Sequence, residues 1–319
     1  MSDECFLVTG SGGCIGSWTV RRLVERGERC IALDVAPERA RLRRILDDDR
    51  LHEVKLVRGD VLEDGFLSRL IEEQEVTRVV HLAALQIPFV AADPVRGATV
   101  NVVGTVRVLE AARQAGGQIR GVAYASSAAV YDASGRELRP ATLYGVFKVA
   151  NEETARIFWQ DHGLPSVGLR PWAVFGPGRD QGLTAAPTHA MKAAALGVPY
   201  HIPFGGRLDL QYAPDVAEAF IGAALAEMRG AVVYNLRGSV VGVDEIVSAI
   251  EDVRPDARGL VTHGDEAIPI APELADGGFA RLVGDVPRTE LRVAVRETIE
   301  HFAALADAGL LGAAELQAT

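Results

Sequence analysis

Short apolar runs of strand length recur along the chain, and segments whose apolar residues follow helical spacing lie between them. The apolar runs are 5–8, 30–33, 54–57, 79–82, 121–126 and 167–169. The helical segments are 15–26, 37–48, 62–74, 95–115 and 145–162, and the fourth follows Asp93-Pro94 as cap and first helical residue. This alternation predicts repeated βαβ units, and hence an α/β fold with a doubly wound parallel sheet that helices cover on both faces.

The pattern changes after Arg170-Pro171. Gly and Pro crowd 176–182 and 199–206, which indicates irregular loops and small elements. The last third has helical spacing at 215–228, 243–253 and 288–308, and a strand pattern at 232–236. We therefore expect residues 1–170 to form the parallel-sheet domain, which also receives later segments at about 207–236, and 171–319 to form most of a smaller, interleaved domain.

Composition and charge narrow the classes of partner. With 319 residues, of which 48% are hydrophobic, the chain can bury a large core. The formal charge of −10 and the scattered Lys and Arg residues argue against nucleic-acid binding. The sequence has neither a secretory leader pattern nor an apolar run long enough to span a membrane, and its three cysteines fit a reducing compartment. We expect a soluble, cytoplasmic protein.

A glycine-rich turn, Thr9-Gly10-Ser11-Gly12-Gly13-Cys14-Ile15-Gly16, follows the first predicted strand and opens the first helix. Glycines at 10, 13 and 16 let the backbone turn sharply, let a pyrophosphate approach the helix N-terminus, and let the helix pack on the sheet. A glycine triplet alone is weak support, because turns in unrelated folds also use glycine. The strand-turn-helix context nevertheless predicts a dinucleotide-binding domain of the Rossmann type.

Acidic residues at the ends of the next two strands extend this prediction. Asp34, eighteen residues past Gly16, can accept both ribose hydroxyls of NAD and would repel a 2′-phosphate. A helix-cap or turn role is the alternative, and Arg39 and Arg41 leave NADP open. Asp60 can accept from an adenine amino group while Val61 packs the ring, although turn chemistry explains Asp60 equally well. His81 precedes Leu82, Ala83 and Ala84, whose size lets the backbone pass close to the cofactor; we interpret His81 as structural.

Tyr144 and Lys148 are four residues apart in Tyr-Gly-Val-Phe-Lys, within a predicted helix. This spacing places a phenol and an ammonium group on one helix face, where the cation favours the phenolate. Such a pair is suited to acid/base chemistry at a carbinol.

The motifs together, over roughly 6–302, resemble the extended short-chain dehydrogenase/reductase superfamily, in its NAD-dependent epimerase/dehydratase family. The resemblance rests on the turn and acidic residues above and on Asn101-Val-Val-Gly-Thr105, Ser126-Ser127-Ala-Ala-Val-Tyr131, Tyr144–Lys148, Arg170-Pro-Trp-Ala-Val-Phe-Gly-Pro-Gly178 and Tyr212-Ala-Pro-Asp215. It implies that Tyr144 is the acid/base, that Lys148 lowers its pKa and binds the nicotinamide ribose, and that Ser127 hydrogen-bonds the reacting oxygen. It also implies a homodimer formed through helices 95–115 and 145–162.

The predicted catalytic residues are therefore Ser127, Tyr144 and Lys148. The predicted contacts to NAD are Gly10, Gly13, Cys14, Ile15, Gly16, Asp34, Asp60, Val61, Leu82, Ala83, Ala84, Asn101, Tyr144, Lys148, Pro171 and Val174. The family role of Asn101 is usually structural, whereas a backbone amide at Val174 would reach the nicotinamide carboxamide. We expect no metal.

Departures from the family pattern bear on the substrate. Nucleotide-sugar epimerases commonly have asparagine where this chain has Ala173, and arginine where it has Leu208; the nearest arginine, Arg207, is one position off. Ala128-Ala129 replaces the Asp-Glu pair of the dehydratase subgroup, which argues against water elimination. The predicted substrate contacts are Gln86, Ser127, Trp172, Arg179, Gln181, Arg207 and Gln211. Several of them could instead be loop or capping residues, and Trp172 could be a core residue.

Three functions remain open. The first is an NAD-dependent oxidoreductase that transfers hydride at a secondary hydroxyl of a sugar, sugar acid or similar polyol. The second is a sugar or nucleotide-sugar epimerase, in which hydride returns to a keto intermediate. The third and most remote is a non-catalytic NAD-binding sensor.

Overall fold

Twelve strands lie within the residues that the computed structural model describes, which are 3–36, 39–46, 48–275, 277–312 and 316. The strands are β1 (Cys5–Thr9), β2 (Arg29–Asp34), β3 (Lys55–Arg58), β4 (Arg78–His81), β5 (Gly121–Ala125), β6 (Ser166–Arg170), β7 (Ala173–Phe175), β8 (Tyr200–Ile202), β9 (Arg207–Tyr212), β10 (Ala231–Asn235), β11 (Ser239–Gly242) and β12 (Val261–His263). The α-helices are α1 (Cys14–Glu25), α2 (Arg39–Ile45), α3 (Phe66–Glu73), α4 (Ile87–Ala92), α5 (Pro94–Ala98), α6 (Gly104–Gln114), α7 (Leu143–His162), α8 (Ala186–Leu196), α9 (Ala213–Leu225), α10 (Val243–Val253), α11 (Phe279–Val283) and α12 (Leu291–Asp307).

The largest sheet has seven strands in the order β10-β6-β5-β4-β1-β2-β3, and every neighbouring pair is parallel. From β1 the chain runs outward to β3, crosses back to β4, and then runs outward to β10. The predicted α/β fold with a doubly wound parallel sheet is thus confirmed. The strand order reverses between β1 and β4, and ligands of such sheets bind at the carboxyl ends of the strands beside that point.

Helices cover both faces of this sheet because its strands are apolar on both sides. Cys5, Leu7 and Val8 of β1, for example, are fully buried. On one face, α1 and α9 pack together over the sheet; on the other, apolar residues of α3, α6 and α7 close the core. The interior is therefore filled, and open space is left at the strand ends.

The later residues build a second core around two small sheets. One sheet has the order β11-β9-β7, with β9 and β11 antiparallel, and the other pairs β12 with β8. Helices α8, α10 and α12 pack around them. Of the segment expected to return to the parallel sheet, α9 and β10 do so, whereas residues 207–212 form β9 in the smaller sheet.

Several boundaries differ from the sequence patterns. The helix predicted at 95–115 is divided into α5, a π-helical turn (Thr99–Val103) and α6. Asp93 caps α5 by accepting a hydrogen bond from the Arg96 amide, as the Asp-Pro pair predicted. A short helix, α4, precedes it without having been predicted. Of the helix predicted at 37–48, residues 37, 38 and 47 lie outside the described part, and α2 covers 39–45.

Helix α7 begins and ends where its caps require. The Thr142 hydroxyl accepts a hydrogen bond from the Gly145 amide at 3.1 Å, and Gly163, with φ of 67°, ends the helix in the left-handed region. The prediction of a helix at 145–162 is confirmed. Among the described residues, none of the helices is both long and apolar enough to cross a membrane.

Candidate active site

A cavity of about 1010 Å³ opens at the carboxyl edge of the parallel sheet, beside the reversal of strand order. The loops that follow β1 to β5 form one side of it, and residues after β6 and from the second core form the other. Most of the predicted site residues line this cavity. They are Gly10, Gly13, Cys14, Ile15, Gly16, Asp34, Asp60, Val61, Leu82, Ala83, Ala84, Gln86, Ser127, Tyr144, Lys148, Pro171, Trp172, Val174 and Arg179.

The glycine-rich turn is shaped by close backbone contacts. A Cβ atom on Gly16 would lie 2.2 Å from the Gly10 carbonyl oxygen, and one on Gly10, where φ is +70°, would lie 2.6 Å from the Ala83 nitrogen. Only glycine fits at these two positions. The N-terminus of α1 has no side-chain cap, so its first amide groups face the cavity and can receive an anion. This cradle fits the pyrophosphate of a dinucleotide.

Cys14 begins α1 and lines the same cavity. Burial raises the pKa of its thiol to about 12, with a smaller opposing effect of the Arg179 charge. The thiol is therefore neutral at physiological pH, and we expect it to pack against a bound cofactor.

Asp34 lies at the end of β2, next to the glycine-rich turn. Its Oδ2 accepts from the Gly12 amide at 3.0 Å and its Oδ1 from the Ala36 amide at 3.1 Å. The carboxylate is thus fixed at the cavity wall, and each oxygen keeps lone pairs for ribose hydroxyls. Asp60, at the end of β3, accepts from the Leu62 amide at 2.9 Å, which shows that it has turn chemistry as well as a place in the cavity.

The Arg41 guanidinium already forms hydrogen bonds within the protein. Its Nη1 donates to the Gly12 carbonyl and its Nη2 to the Asp180 carboxylate, both at 2.6 Å. A 2′-phosphate would have to compete with Asp180 for this cation and would meet Asp34 as well. The Arg39 side chain lies outside the described residues.

Tyr144, Lys148 and Ser127 meet deep in the cavity, at the end of β5 and the start of α7. The Tyr144 hydroxyl is hydrogen-bonded to Ser127, and the Lys148 Nζ lies 5.4 Å from the centre of the Tyr144 ring. The Lys148 ammonium donates to the Ala125 carbonyl at 2.7 Å, and the Ser127 hydroxyl accepts from the Ala129 amide at 3.1 Å. The helix thus delivers both side chains to the strand end that carries the serine.

Burial and nearby charges have opposite effects on the pKa of Tyr144 and on that of Lys148. Burial raises the pKa of Tyr144, whereas the Ser127 hydrogen bond and the positive charge of Arg179 lower it. Burial lowers the pKa of Lys148 to about 8, against the charge of Glu152, which raises it. Burial is the largest effect at both side chains, so the net pKa of Tyr144 is raised and that of Lys148 is lowered.

Glu152 lies one turn beyond Lys148 and is buried with Arg170. The Arg170 Nε and Nη2 donate to its carboxylate at 2.7 and 2.6 Å, and the Ser126 hydroxyl donates to the same group. The Arg170 guanidinium also lies 4.9 Å from the centre of the Tyr131 ring. This network fixes the segment that carries Ser127.

His81 and Asn101 stay outside the cavity wall. His81 is buried between the hydroxyls of Thr9 and Thr105, at 2.7 and 3.1 Å, and burial lowers its pKa to about 3, which agrees with a structural role. Asn101 is also buried; its amide donates to the Leu85 carbonyl and accepts from the Leu85 amide, at 2.9 and 2.7 Å. Asn101 does not line the cavity, and its contact with the cofactor stays a prediction. It holds the loop that carries Gln86 instead.

Three predicted substrate contacts also lie elsewhere. The Arg207 side chain is 59% exposed and donates to the Val240 carbonyl, because β9 turns it away from the cavity. Gln211 is buried and holds the Trp172 amide and the Leu236 carbonyl. Gln181 is exposed and does not line the cavity. The structure does not bring these three side chains into the cavity, whereas Gln86, Ser127, Trp172 and Arg179 do line it.

Sequence reasoning missed the far wall of the cavity. Leu183 and Thr184 follow the Gly- and Pro-rich loop, and Ile268, Pro269 and Ile270 come from a segment about 120 residues beyond Tyr144. No local pattern marks the latter three as site residues. The Trp172 indole nitrogen donates to the Ala271 carbonyl at 2.8 Å, which links this segment to the middle of the site.

The fold and this cavity define a Rossmann-type protein whose glycine-rich turn lies in the same cavity as a Ser-Tyr-Lys group. The chain belongs to the NAD dependent epimerase/dehydratase family, whose model matches residues 6–236. It is 30% identical to the UDP-glucose 4-epimerase of Mycolicibacterium smegmatis, over 93% of this chain and 97% of that protein. NAD is its cofactor, as the sequence predicted.

Solved structures agree with this assignment. The Thermus thermophilus UDP-glucose 4-epimerase, in a complex with NAD, matches with a TM-score of 0.77 and 25% identity, over 93% of this chain and 98% of that chain. MoeE5, in complex with UDP-glucose and NAD, matches with a TM-score of 0.76 and 29% identity, over 95% and 99% of the two chains. The resemblance inferred from the motifs is confirmed, and so is the expectation of an enzyme.

Proposed function

We propose that this protein transfers a hydride between NAD and a carbon that bears a secondary hydroxyl, in a sugar, sugar acid or similar polyol. The observation that carries the proposal is the meeting of Ser127, Tyr144 and Lys148 in the same cavity as the glycine-rich turn and Asp34. The phenolate form of Tyr144, next to a serine and an ammonium group, is equipped to take the proton of a bound alcohol.

Each of the three side chains has its own part in this proposal. The Tyr144 phenolate takes the hydroxyl proton while the carbinol C–H bond breaks and the carbinol becomes a carbonyl. Ser127 donates to the reacting oxygen and holds it next to the phenol. The ammonium of Lys148 stabilises the phenolate by its charge. When bound, NAD accepts the hydride that leaves the carbon.

The remaining cavity residues would hold the cofactor. The first amides of α1, at Cys14 and Ile15, face the pyrophosphate, Asp34 receives the ribose hydroxyls, and Asp60 with Val61 borders the adenine. Pro171 and Val174 border the nicotinamide at the other end. In this proposal the parallel-sheet domain binds the cofactor and the second core supplies the substrate side.

Net dehydrogenation is the first candidate outcome, and epimerisation is the second. The second is favoured by the names of the relatives, which are UDP-sugar 4-epimerases. The same residues serve both reactions, since the difference lies in whether the keto intermediate rotates before hydride returns.

A panel of sugars, aldonates, uronates and nucleotide sugars, each with NAD and with NADP, tests the proposal. A steady rise in dihydronicotinamide absorbance supports dehydrogenation. A product with one inverted centre, formed without a net change in that absorbance, supports epimerisation. A Tyr144→Phe variant as active as the wild type on the same compounds would contradict the assignment and would revive a non-catalytic NAD sensor.

The proposed assembly is a homodimer formed through α6 and α7. Supporting it, Val103 and Val106 at the first of these helices and Val146 and Ile157 on the second are at least 37% exposed, although α6 and α7 pack side by side. A cytoplasmic location fits the three free cysteines, two of which, Cys5 and Cys30, are buried.

A further inference from the structure

Arg179 is a cation of the cavity wall that has unused N–H donors. It follows β7 and lines the cavity wall. One Nη2 hydrogen bond goes to the Thr184 hydroxyl at 3.0 Å, and the buried Nε has no hydrogen-bond partner. Among the described residues, no carboxylate forms an ion pair with it. A guanidinium has five N–H donors, and the described residues accept from one of those of Arg179, so further donors are left for a ligand.

The loop around Arg179 is fixed rather than free. Its neighbour Asp180 accepts from Arg41 at 2.6 Å, and Arg41 also holds the Gly12 carbonyl of the glycine-rich turn. The Arg179 amide donates to the Gly176 carbonyl at 3.1 Å. Arg179 is thus anchored at its base to the cofactor side of the cavity, while its guanidinium extends towards the reacting group.

The surroundings of the guanidinium are those of a binding site for a small anion. A Cβ atom placed on Gly182 would lie 3.7 Å from the Arg179 Nη2 and 3.6 Å from the Gln86 Oε1, so Gln86 and Arg179 face the same space. The positive charge of Arg179 also lowers the pKa of Tyr144, which places the guanidinium within electrostatic reach of the phenol. An anion bound there would share one cavity with the hydroxyl that Tyr144 deprotonates.

The described cavity wall has two further cations. Lys148 is committed to the Ala125 carbonyl beside Tyr144, and Arg96 is exposed at the rim. Asp34, Asp60 and Asp93 add negative charge to the same wall. One guanidinium matches one carboxylate, through paired N–H donors, better than it matches a diphosphate.

We propose that Arg179 binds the carboxylate of the substrate, and that the substrate is therefore a sugar acid rather than a neutral or nucleotide-linked sugar. This inference rests on the proposed function, because it names the substrate class of the same site. Gln86 and Thr184 would then contact hydroxyls next to the carboxylate.

Binding to the NADH-saturated protein tests it, with the quenching of dihydronicotinamide fluorescence as the readout. The probes are D-glucuronate and D-gluconate, their neutral counterparts D-glucose and D-glucitol, and UDP-glucose. The variants are Arg179→Gln, Arg179→Lys, which keeps the charge without the planar fork, and the control Arg207→Gln, which removes an arginine outside the cavity. Thermal unfolding checks that each variant is folded.

The wild type and Arg207→Gln should bind at least one carboxylate probe roughly ten- to hundred-fold more tightly than its neutral counterpart. Arg179→Gln should lose this preference and keep its affinity for NADH, and Arg179→Lys should be intermediate. Equal binding of acid and neutral probes by the wild type, or tightest binding of UDP-glucose, would overturn the proposal. Weaker NADH binding by Arg179→Gln with the acid preference intact would overturn it too, and would assign Arg179 to the cofactor phosphates.

The two proposals can fail separately. If carboxylates bind through Arg179 but no panel compound reduces NAD or is epimerised, the anion site stands and the proposed function fails. If a neutral sugar is oxidised with full dependence on Tyr144 but not on Arg179, the proposed function stands and the anion site fails.

Discussion

Lys148 shows what burial does to a single side chain of this site. It is 3% exposed, and its pKa is about 8 rather than the ordinary 10.5. The folded protein therefore releases this proton near pH 8, whereas the unfolded chain holds it up to about 10.5. Between these values the unfolded state binds more protons, so the contribution of Lys148 to stability rises with pH.

A Lys148→Met variant should be more stable than the wild type below pH 8, because it removes a buried charge. Between about pH 8 and pH 10.5, the difference in the free energy of unfolding between variant and wild type should shrink by about 3 kcal/mol, because the lysine loses its proton there. Urea unfolding of the NAD-free proteins at several pH values measures it. A constant difference in the free energy of unfolding would show that Lys148 does not titrate in this window.

Asp34 is the residue expected to select between cofactors. Replacing it with Ala should weaken NAD binding by roughly ten-fold or more, because two ribose hydrogen bonds to a charged acceptor are lost. Discrimination against NADP should fall as well, since the repulsion of a 2′-phosphate disappears. Fluorescence titration with NADH and NADPH measures both effects, with Asp64→Ala, an exposed aspartate, as the control. Unchanged selectivity would assign Asp34 to the glycine-rich turn alone.

At the scale of elements, helix α7 carries two of the predicted catalytic side chains and one member of a buried ion pair. Tyr144 and Lys148 face the cavity, and Glu152, on the same helix, pairs with Arg170 of β6. The i,i+4 spacing that predicted the first two on one face continues to Glu152, but its partner lies on a strand and could not be read from local pattern. The π-helical turn around Asn101 was also out of reach of a local pattern, and Asn101 bonds to Leu85, 16 residues earlier.

Glu152→Gln should cost about 3–5 kcal/mol in the free energy of unfolding, because it leaves the Arg170 charge buried without its partner. Activity should fall where the Lys148 ammonium loses its proton, and in this variant the fall should begin at lower pH, since Glu152 raises the pKa of Lys148. The matched control is Glu153→Gln, whose ion pair with Arg156 is exposed and should contribute less than about 1 kcal/mol.

The double variant Glu152→Gln, Arg170→Gln separates the two effects. It should recover part of the lost stability but keep the displaced pH profile. A profile identical to that of the wild type would show that Glu152 has only a structural role.

At the scale of the whole molecule, the sheet explains why distant residues meet. Gly10, Asp34, Asp60, Ala83 and Ser127 lie in one cavity because parallel strands end at one edge. The cofactor half of the site was predictable for that reason. The substrate half was not predictable. Arg207 and Gln211 lie on β9, and the pairing of β9 with β11 decides which way their side chains point. Ile268 lines the cavity from a loop whose sequence has no recognisable pattern.

The proposed dimer is tested by charge on the exposed apolar face. Val146→Glu, on α7, should convert a dimer into a monomer, because a carboxylate would be buried at the interface. Light scattering after size-exclusion chromatography measures the mass. Leu310→Glu, which alters a leucine 52% exposed near the end of the described chain, should leave the mass unchanged. A wild-type protein that is already monomeric would contradict the proposed assembly.

The central claim is direct hydride transfer from the carbinol carbon, and isotopic labelling tests it. The most active compound of the panel would carry deuterium on that carbon, and mass spectrometry would follow the label. We predict that the label appears in the dihydronicotinamide if the net reaction is dehydrogenation, or stays on the same carbon of an inverted product if it is epimerisation; Tyr144→Phe should be slower by roughly a hundred-fold or more. Loss of the deuterium to water would contradict the account, because the hydrogen would then have left as a proton.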